Sequence, residues 1–143
     1  MLFLSIHPRY VQAILDGRKT VELRKRVPRA EVGSQLVIYA SMPTCAVVAS
    51  AVIERIKAAE PDQLWKDVQK LSAVTRTEFD EYYRNHALAV GIHFSEVKVF
   101  EKPITLAELR EAWQSFHPPQ QFRYLSPDQQ KSISSRPVER VLS

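Results

Sequence analysis

The sequence has 143 residues, 45% hydrophobic and 25% charged, which suits one globular domain able to bury about two thirds of its unfolded surface. The single cysteine, Cys45, excludes an internal disulfide, no run approaches the ~18 apolar residues of a membrane span, and the apolar start Met1–Ile6 lacks a basic leader, so a cytoplasmic protein is expected. Net charge is +4, but Arg18–Arg29 alone holds six Lys and Arg against the one acid Glu22, so this segment is +5 and the remainder sums to −1.

In chain order, Leu2, Leu4 and Ile6 alternate with Phe3 and Ser5, a short strand apolar on nearly both faces and therefore central. Pro8 opens a helix, Val11, Ile14 and Leu15 repeat at helical spacing, and Gly17 is a natural residue just past its end. A strand from Thr20 to about Val27 follows. Pro28 and Gly33 bracket a turn, and Gln35–Ala40 is a further buried strand. The apolar run Cys45–Ile56 fits a strand or a buried helix by periodicity, and its β-branched residues favour the strand. Pro61 opens a helix through Leu71. Thr75-Arg76-Thr77-Glu78 has the capping-box pattern, so Glu78 is expected to cap a helix over Thr77–Asn85. Leu88, Val90, Ile92 and Phe94 alternate, and Val97 and Val99 continue on the opposite parity, which predicts a bulge or break at Ser95-Glu96 and an end at Pro103. Thr105 caps a short helix Leu106–Trp113, and Ser126-Pro127-Asp128 starts a last helical turn. The aromatic, proline-rich Phe116–Leu125 is expected to pack, and residues beyond Ser134 to fray. Strands outnumber helices, which interrupt them irregularly. The expectation is a single α+β domain over residues 1–143: a small mixed, mostly antiparallel β-barrel with helices packed around it.

Chemistry concentrates in Gly17–Arg26. Alternation on a strand puts Val21 and Leu23 on one face and Thr20, Glu22 and Arg24 on the other, successive members about 7 Å apart. A hydroxyl, a carboxylate and a guanidinium in a row, with Lys19 at the mouth, form either a solvated sheet face or one wall of a polar pocket. The cation cluster around it attracts phosphates. The histidines His7, His86, His93 and His117 have no metal-ligand spacing with one another or with Cys45, and three scattered glycines cannot build a phosphate loop. Neither a metal nor an organic cofactor is expected.

The pattern Leu4-Ser5-Ile6-His7-Pro8, Tyr10, Ile14-Leu15, then Gly17-Arg18-Lys19-Thr20-Val21-Glu22-Leu23-Arg24, resembles the signature of the activating-signal-cointegrator homology (ASCH) domain. Ala87–Val90, Phe100–Ile104 with Leu106, and the Pro118–Leu125 tail are similar to later parts of that family. The resemblance implies a PUA-like fold with a cleft between barrel and helices, lined at positions matching Lys19, Glu22 and Arg24. It also implies RNA or a nucleoside as partner. Some family members are amidohydrolases that deacylate N4-acetylcytidine with a lysine, a threonine and a glutamate, and others are ribonucleases. Lys19 matches that lysine. Glu22 stands where those relatives have threonine, and Lys70–Thr75, where their glutamate lies, has no carboxylate.

Two function classes follow. As a binding module, the chain would hold RNA or a modified nucleoside in a basic cleft. Arg18, Lys19, Thr20, Glu22, Arg24 and Arg26 would supply polar contacts, and Tyr82, Tyr83, Phe122 or Tyr124 would stack a base. As an enzyme, a small amidohydrolase or ribonuclease, it would use Lys19 as nucleophile or base. Glu22 would orient Lys19, or would itself act as a base if burial raised its pKa. A blander third reading is a protein-recruitment domain.

Overall fold

A computed structural model describes all residues, Met1–Ser143. Strand β1 (Leu2–Ile6) leads into helix α1 (Pro8–Leu15), followed by β2 (Val21–Arg24), β3 (Gln35–Ala40) and β4 (Ala46–Ala59). Two helices, α2 (Pro61–Val68) and α3 (Arg76–Tyr82), precede the long β5 (Ala89–Thr105), and α4 (Leu106–Ala112), β6 (Phe122–Tyr124), α5 (Pro127–Ser134) and β7 (Val138–Leu142) complete the chain. The strands form one sheet in the order β2-β5-β4-β3-β1-β6, with β7 also on β5. The β1–β3 pair is parallel and the other pairs are antiparallel. The sheet curls into a half-barrel with the helices around it, the α+β architecture expected from the sequence.

β1 lies between β3 and β6 and is buried on both faces, as its apolar content on both parities predicts. Leu2, Leu4 and Ile6 join Val11 and Ile14 of α1 in the larger core, while Phe3 packs with Tyr39, Trp113 and Phe116 on the other side. A third cluster seats β2: Val21 and Leu23 pack against Leu64 and Val68 of α2 and Phe79 of α3. Gly91 of β5 belongs to this contact, because a Cβ there would meet the Val21 Cγ1 at 3.3 Å. All three short helices after β4 whose starts carry Thr or Ser are closed by reciprocal capping boxes, at Thr75/Glu78, Thr105/Glu108 and Ser126/Gln129.

Several boundaries differ from the sequence expectation. β2 stops at Arg24 rather than near Val27, because its partner β5 begins at Ala89 and Arg24 already faces Val90. α2 ends at Val68, and α3 spans Arg76–Tyr82. The parity slip at Ser95-Glu96 is a bulge within one continuous strand: Glu96 has φ +51°, and Ser50 faces Lys98 while Val52 faces Ser95. β5 passes through Pro103 to Thr105, since the β7 ladder stops at Phe100 and no donor is required of residue 103 on that edge. Residues beyond Ser134, expected to fray, supply β7, which pairs with Val97–Phe100 where that edge of β5 has no other strand.

The strand path has two ends, β2 and β6, and a side chain joins them. The Arg24 guanidinium donates from Nη1 to the Gln121 carbonyl at 2.8 Å and from Nη2 to the Ser5 carbonyl at 2.9 Å. One residue of β2 thus stitches the seam to β1 and to the residue preceding β6.

Candidate functional site: a buried ion triad at the barrel seam

Where α1 ends, Gly17 takes φ +80°, a conformation glycine adopts without a Cβ penalty. The amides of Arg18 and Lys19 then both donate to the Ala13 carbonyl, a tight turn that carries the Lys19 side chain inward. The amides of Thr20 and Val21 donate to the Leu71 carbonyl, docking the start of β2 on the loop after α2. That loop presents the Ser72 carbonyl to the Lys19 side chain, and the next residue, Ala73, sits at φ +56°, a left-handed conformation that costs a non-glycine residue about 1–2 kcal/mol.

Lys19, Glu22 and Arg24 converge. The Lys19 Nζ donates to the Ser72 carbonyl at 2.7 Å and lies 3.3 Å from Glu22 Oε1, while Arg24 Nη2 donates to Glu22 Oε2 at 2.6 Å. All three are buried, with Lys19 only 2% exposed. The Tyr10 ring lies 5.0 Å from the Lys19 ammonium, in reach of a cation–π contact. Two cations share one carboxylate, so the triad holds one surplus positive charge away from water. The Nε of Arg24 has no hydrogen-bond partner.

Burial opposes charge on Lys19 and outweighs the attraction of Glu22, so its pKa lies below the ordinary 10.5. Burial also pushes Glu22 upward, but Arg24 and then Lys19 more than offset it and hold the carboxyl below its usual range. Burial thus does not raise the Glu22 pKa, the condition set above for Glu22 to act as a base. Both of its oxygens are committed to cations, and it is a carboxylate at neutral pH.

The triad lines a cleft of about 220 Å³, walled by Ser5, His7, Tyr10, Tyr82, Glu78 and Gln121 among others. Glu78 caps α3 as predicted, accepting from the Thr75 amide at 2.9 Å, and also bonds Arg9. The Thr75 amide first and Arg9 second hold its pKa down to about 2.

The other candidates separate. Tyr82 lines the same cleft, half-buried, with the Lys25 Nζ 4.5 Å from its ring centre. Tyr83 is 3% exposed and donates its hydroxyl to the Arg24 carbonyl at 2.9 Å, which makes it a core anchor of β2 rather than a stacking surface. Arg18 is exposed and paired with Asp16, and Thr20 contributes backbone bonds but no side chain to the cleft wall. Arg26, Phe122 and Tyr124 line a separate, more open groove beside β6. Sequence reasoning missed Tyr10, Ser72 and Gln121. Tyr10 had a signal, an aromatic off the Val11/Ile14 face of α1. Ser72 and Gln121 act through carbonyls, which no residue type announces. No three His, Cys, Asp or Glu side chains cluster in a way that would hold a metal ion, and no helix is long and apolar enough to cross a membrane.

The family model described as a domain of unknown function (DUF365) matches residues 3–111. The ASCH domain-containing ribonuclease of Zymomonas mobilis is 26% identical over 132 residues, 92% of this chain and 88% of that protein. The crystal structure of ASCH from Zymomonas mobilis superposes with a TM-score of 0.87 at 27% identity, covering 94% of each chain. The large ribosomal subunit protein uL22 of Ureaplasma parvum is 24% identical over 108 residues, 75% of this chain but 34% of that protein. The match of sequence and fold over most of the chain places it in the DUF365 family, an ASCH-type family with the PUA-like fold.

Proposed function

We propose that this ASCH protein binds single-stranded RNA and seats one nucleotide in the cleft floored by Lys19, Glu22 and Arg24. The observation that carries the reading is the surplus positive charge buried at the cleft floor. A desolvated cation without its own counterion favours an anionic ligand, and a phosphate supplies one. The volume of about 220 Å³ falls below the ~300–1,000 Å³ of pockets for drug-sized ligands and suits a single base or nucleoside. Tyr10 and Tyr82 offer ring surface at the wall. The ribonuclease named among the relatives supports RNA as the polymer.

The burial of Lys19 at the cleft, which moves its pKa downward, favours a second reading, metal-independent cleavage of the bound strand. On giving up a proton, which burial favours, Lys19 keeps two N–H bonds, to the Ser72 carbonyl and to Glu22, and its lone pair is free to act as a base. That lone pair would take the proton of a ribose 2′-hydroxyl. The 2′-oxygen then attacks phosphorus, the P–O5′ bond breaks, the 5′-oxygen takes a proton from water, and a 2′,3′-cyclic phosphate remains. Arg24 would neutralise phosphate charge, and Glu22 would position Lys19. With N4-acetylcytidine the same amine would take a proton from water, whose oxygen attacks the acetyl carbonyl carbon; the C–N4 bond breaks, N4 takes the proton from Lys19, and acetate leaves.

Titration of an octauridylate in EDTA tests binding, and gel analysis of the same mixture tests cleavage, with N4-acetylcytidine as a parallel substrate. Affinity is expected to tighten steeply as salt falls, and Lys19→Met to weaken it at least tenfold and abolish turnover. Salt-insensitive binding, or full affinity in Lys19→Met, would sink the cleft reading. Cleavage that persists in Lys19→Met would remove the amine mechanism.

A further inference from the structure

We propose that the groove beside β6 is a second RNA contact, a track that holds the nucleotides flanking the one in the cleft. It extends the cleft reading and rests on it. The groove encloses about 780 Å³ and is lined by Arg26, Arg29, Arg123, Phe122 and Tyr124, with no acidic residue on its wall.

The cations of this groove combine two features, a guanidinium without a carboxylate partner and an aromatic ring beside it. Arg9, Arg18, Lys57, Arg76 and Arg84 each pair with a carboxylate. Arg26, Arg29 and Arg123 have no carboxylate within ion-pair distance and lie against rings instead: Arg26 is 5.7 Å from the Phe122 centroid, Arg29 5.8 Å from Tyr124 and Arg123 5.0 Å from Phe116. Tyr124, 42% exposed on a three-residue strand, is fixed by its hydroxyl, which accepts from the Arg29 amide at 2.7 Å.

The pairs run in sequence from the cleft. Lys25 sits on Tyr82 at the cleft wall, then Arg26 on Phe122, then Arg29 on Tyr124. The two hollows share a border, since Gln121 lines the cleft and Phe122 the groove, and Arg24 and Arg26 do the same from the other side. Unpaired guanidinium groups meet phosphates, and rings meet the π-faces of bases without regard to sequence. An acidic peptide answers the charge but has nothing to lay on the rings, which favours RNA.

The test uses the full chain and labelled octauridylate, titrated between 50 and 200 mM salt, with uridine 3′-monophosphate as the cleft-sized probe. Each phosphate neutralised on a single strand adds about 0.7 to the slope of log affinity against log salt. The Arg26→Ala/Arg29→Ala/Arg123→Ala variant is expected to lose about 2 from that slope and at least tenfold in octamer affinity, while mononucleotide binding stays unchanged. Tyr124→Leu is expected to lower affinity without altering the slope. These side chains are surface groups, so an unchanged urea midpoint certifies the fold. An unaltered octamer affinity and slope in the triple variant overturns the track, as does a decaglutamate peptide that displaces the octamer at equal concentration. Parent protein that binds the mononucleotide but gains nothing from the octamer overturns the track and leaves the cleft reading intact. Failure of the cleft itself shows separately, as mononucleotide binding that survives Lys19→Met.

Discussion

The cleft and the β6 groove draw Lys19, Arg24, Arg26 and Arg29 from the same dozen residues of sequence, yet they hold them in opposite ways. In the cleft, Lys19 and Arg24 are out of water, locked to Glu22 and to backbone carbonyls. In the groove, Arg26 and Arg29 are exposed and without a carboxylate. Charge in the first region is tied into the architecture, and charge in the second is left open to solvent. The difference teaches that burial and partnership, not the density of Lys and Arg, decide whether a cation is fixed in the fold or free at its surface.

The sharpest way to break that contrast is to remove the shared anion. Glu22→Gln leaves two buried cations without a counter-charge and is expected to cost about 3–5 kcal/mol in urea unfolding. A loss under about 1 kcal/mol would mean that the triad behaves as a surface pair. Arg24→Lys keeps the charge but not the planar fork, so one ammonium cannot reach both the Ser5 and Gln121 carbonyls. A cost of about 2–3 kcal/mol is expected, with faster amide exchange in Phe122–Tyr124. Exchange there at the parental rate would show that the seam holds without the guanidinium. Glu78 lies between the two regimes, on the cleft wall with its side chain about a third exposed (33%). Its folded pKa of about 2 is below the ordinary 4.5, so its stabilisation is complete above pH 4.5 and is lost as pH falls toward 2. Glu78→Gln is expected to flatten the acid limb of stability over that window, by less than either cleft variant. An identical acid limb in the variant would show that Glu78 does not drive it.

The polar row of the cleft was legible because strand alternation is a strict rule. Once Val21 and Leu23 are assigned to a core, Glu22 and Arg24 must share the other face, and the structure joins them at 2.6 Å. Thr20 satisfies the same parity but precedes the first paired residue of β2, and parity says nothing about where pairing begins. Tyr83 and Tyr82 are neighbours of one type, and only the packing of α3 on β2 sends the first into the core and leaves the second on the cleft wall. β7 was missed for a related reason. Its exposed Val138–Leu142 has little local drive to order, and what holds it is the open edge of β5, a long-range partner that composition does not reveal. The resemblance carried by Gly17–Arg24 supplied the cleft as a whole. The Ser72 and Gln121 carbonyls that hold Lys19 and Arg24 in place had to come from the fold.

The seam has a consequence for how such a molecule can change over time. Because a single arginine both fastens the cylinder and floors the hollow, any replacement at position 24 alters rigidity and occupancy together, whereas the arginines of the outer groove can be exchanged one at a time. Variation in what these chains hold should therefore collect along β6 and the turn facing it, leaving the fastening residue untouched.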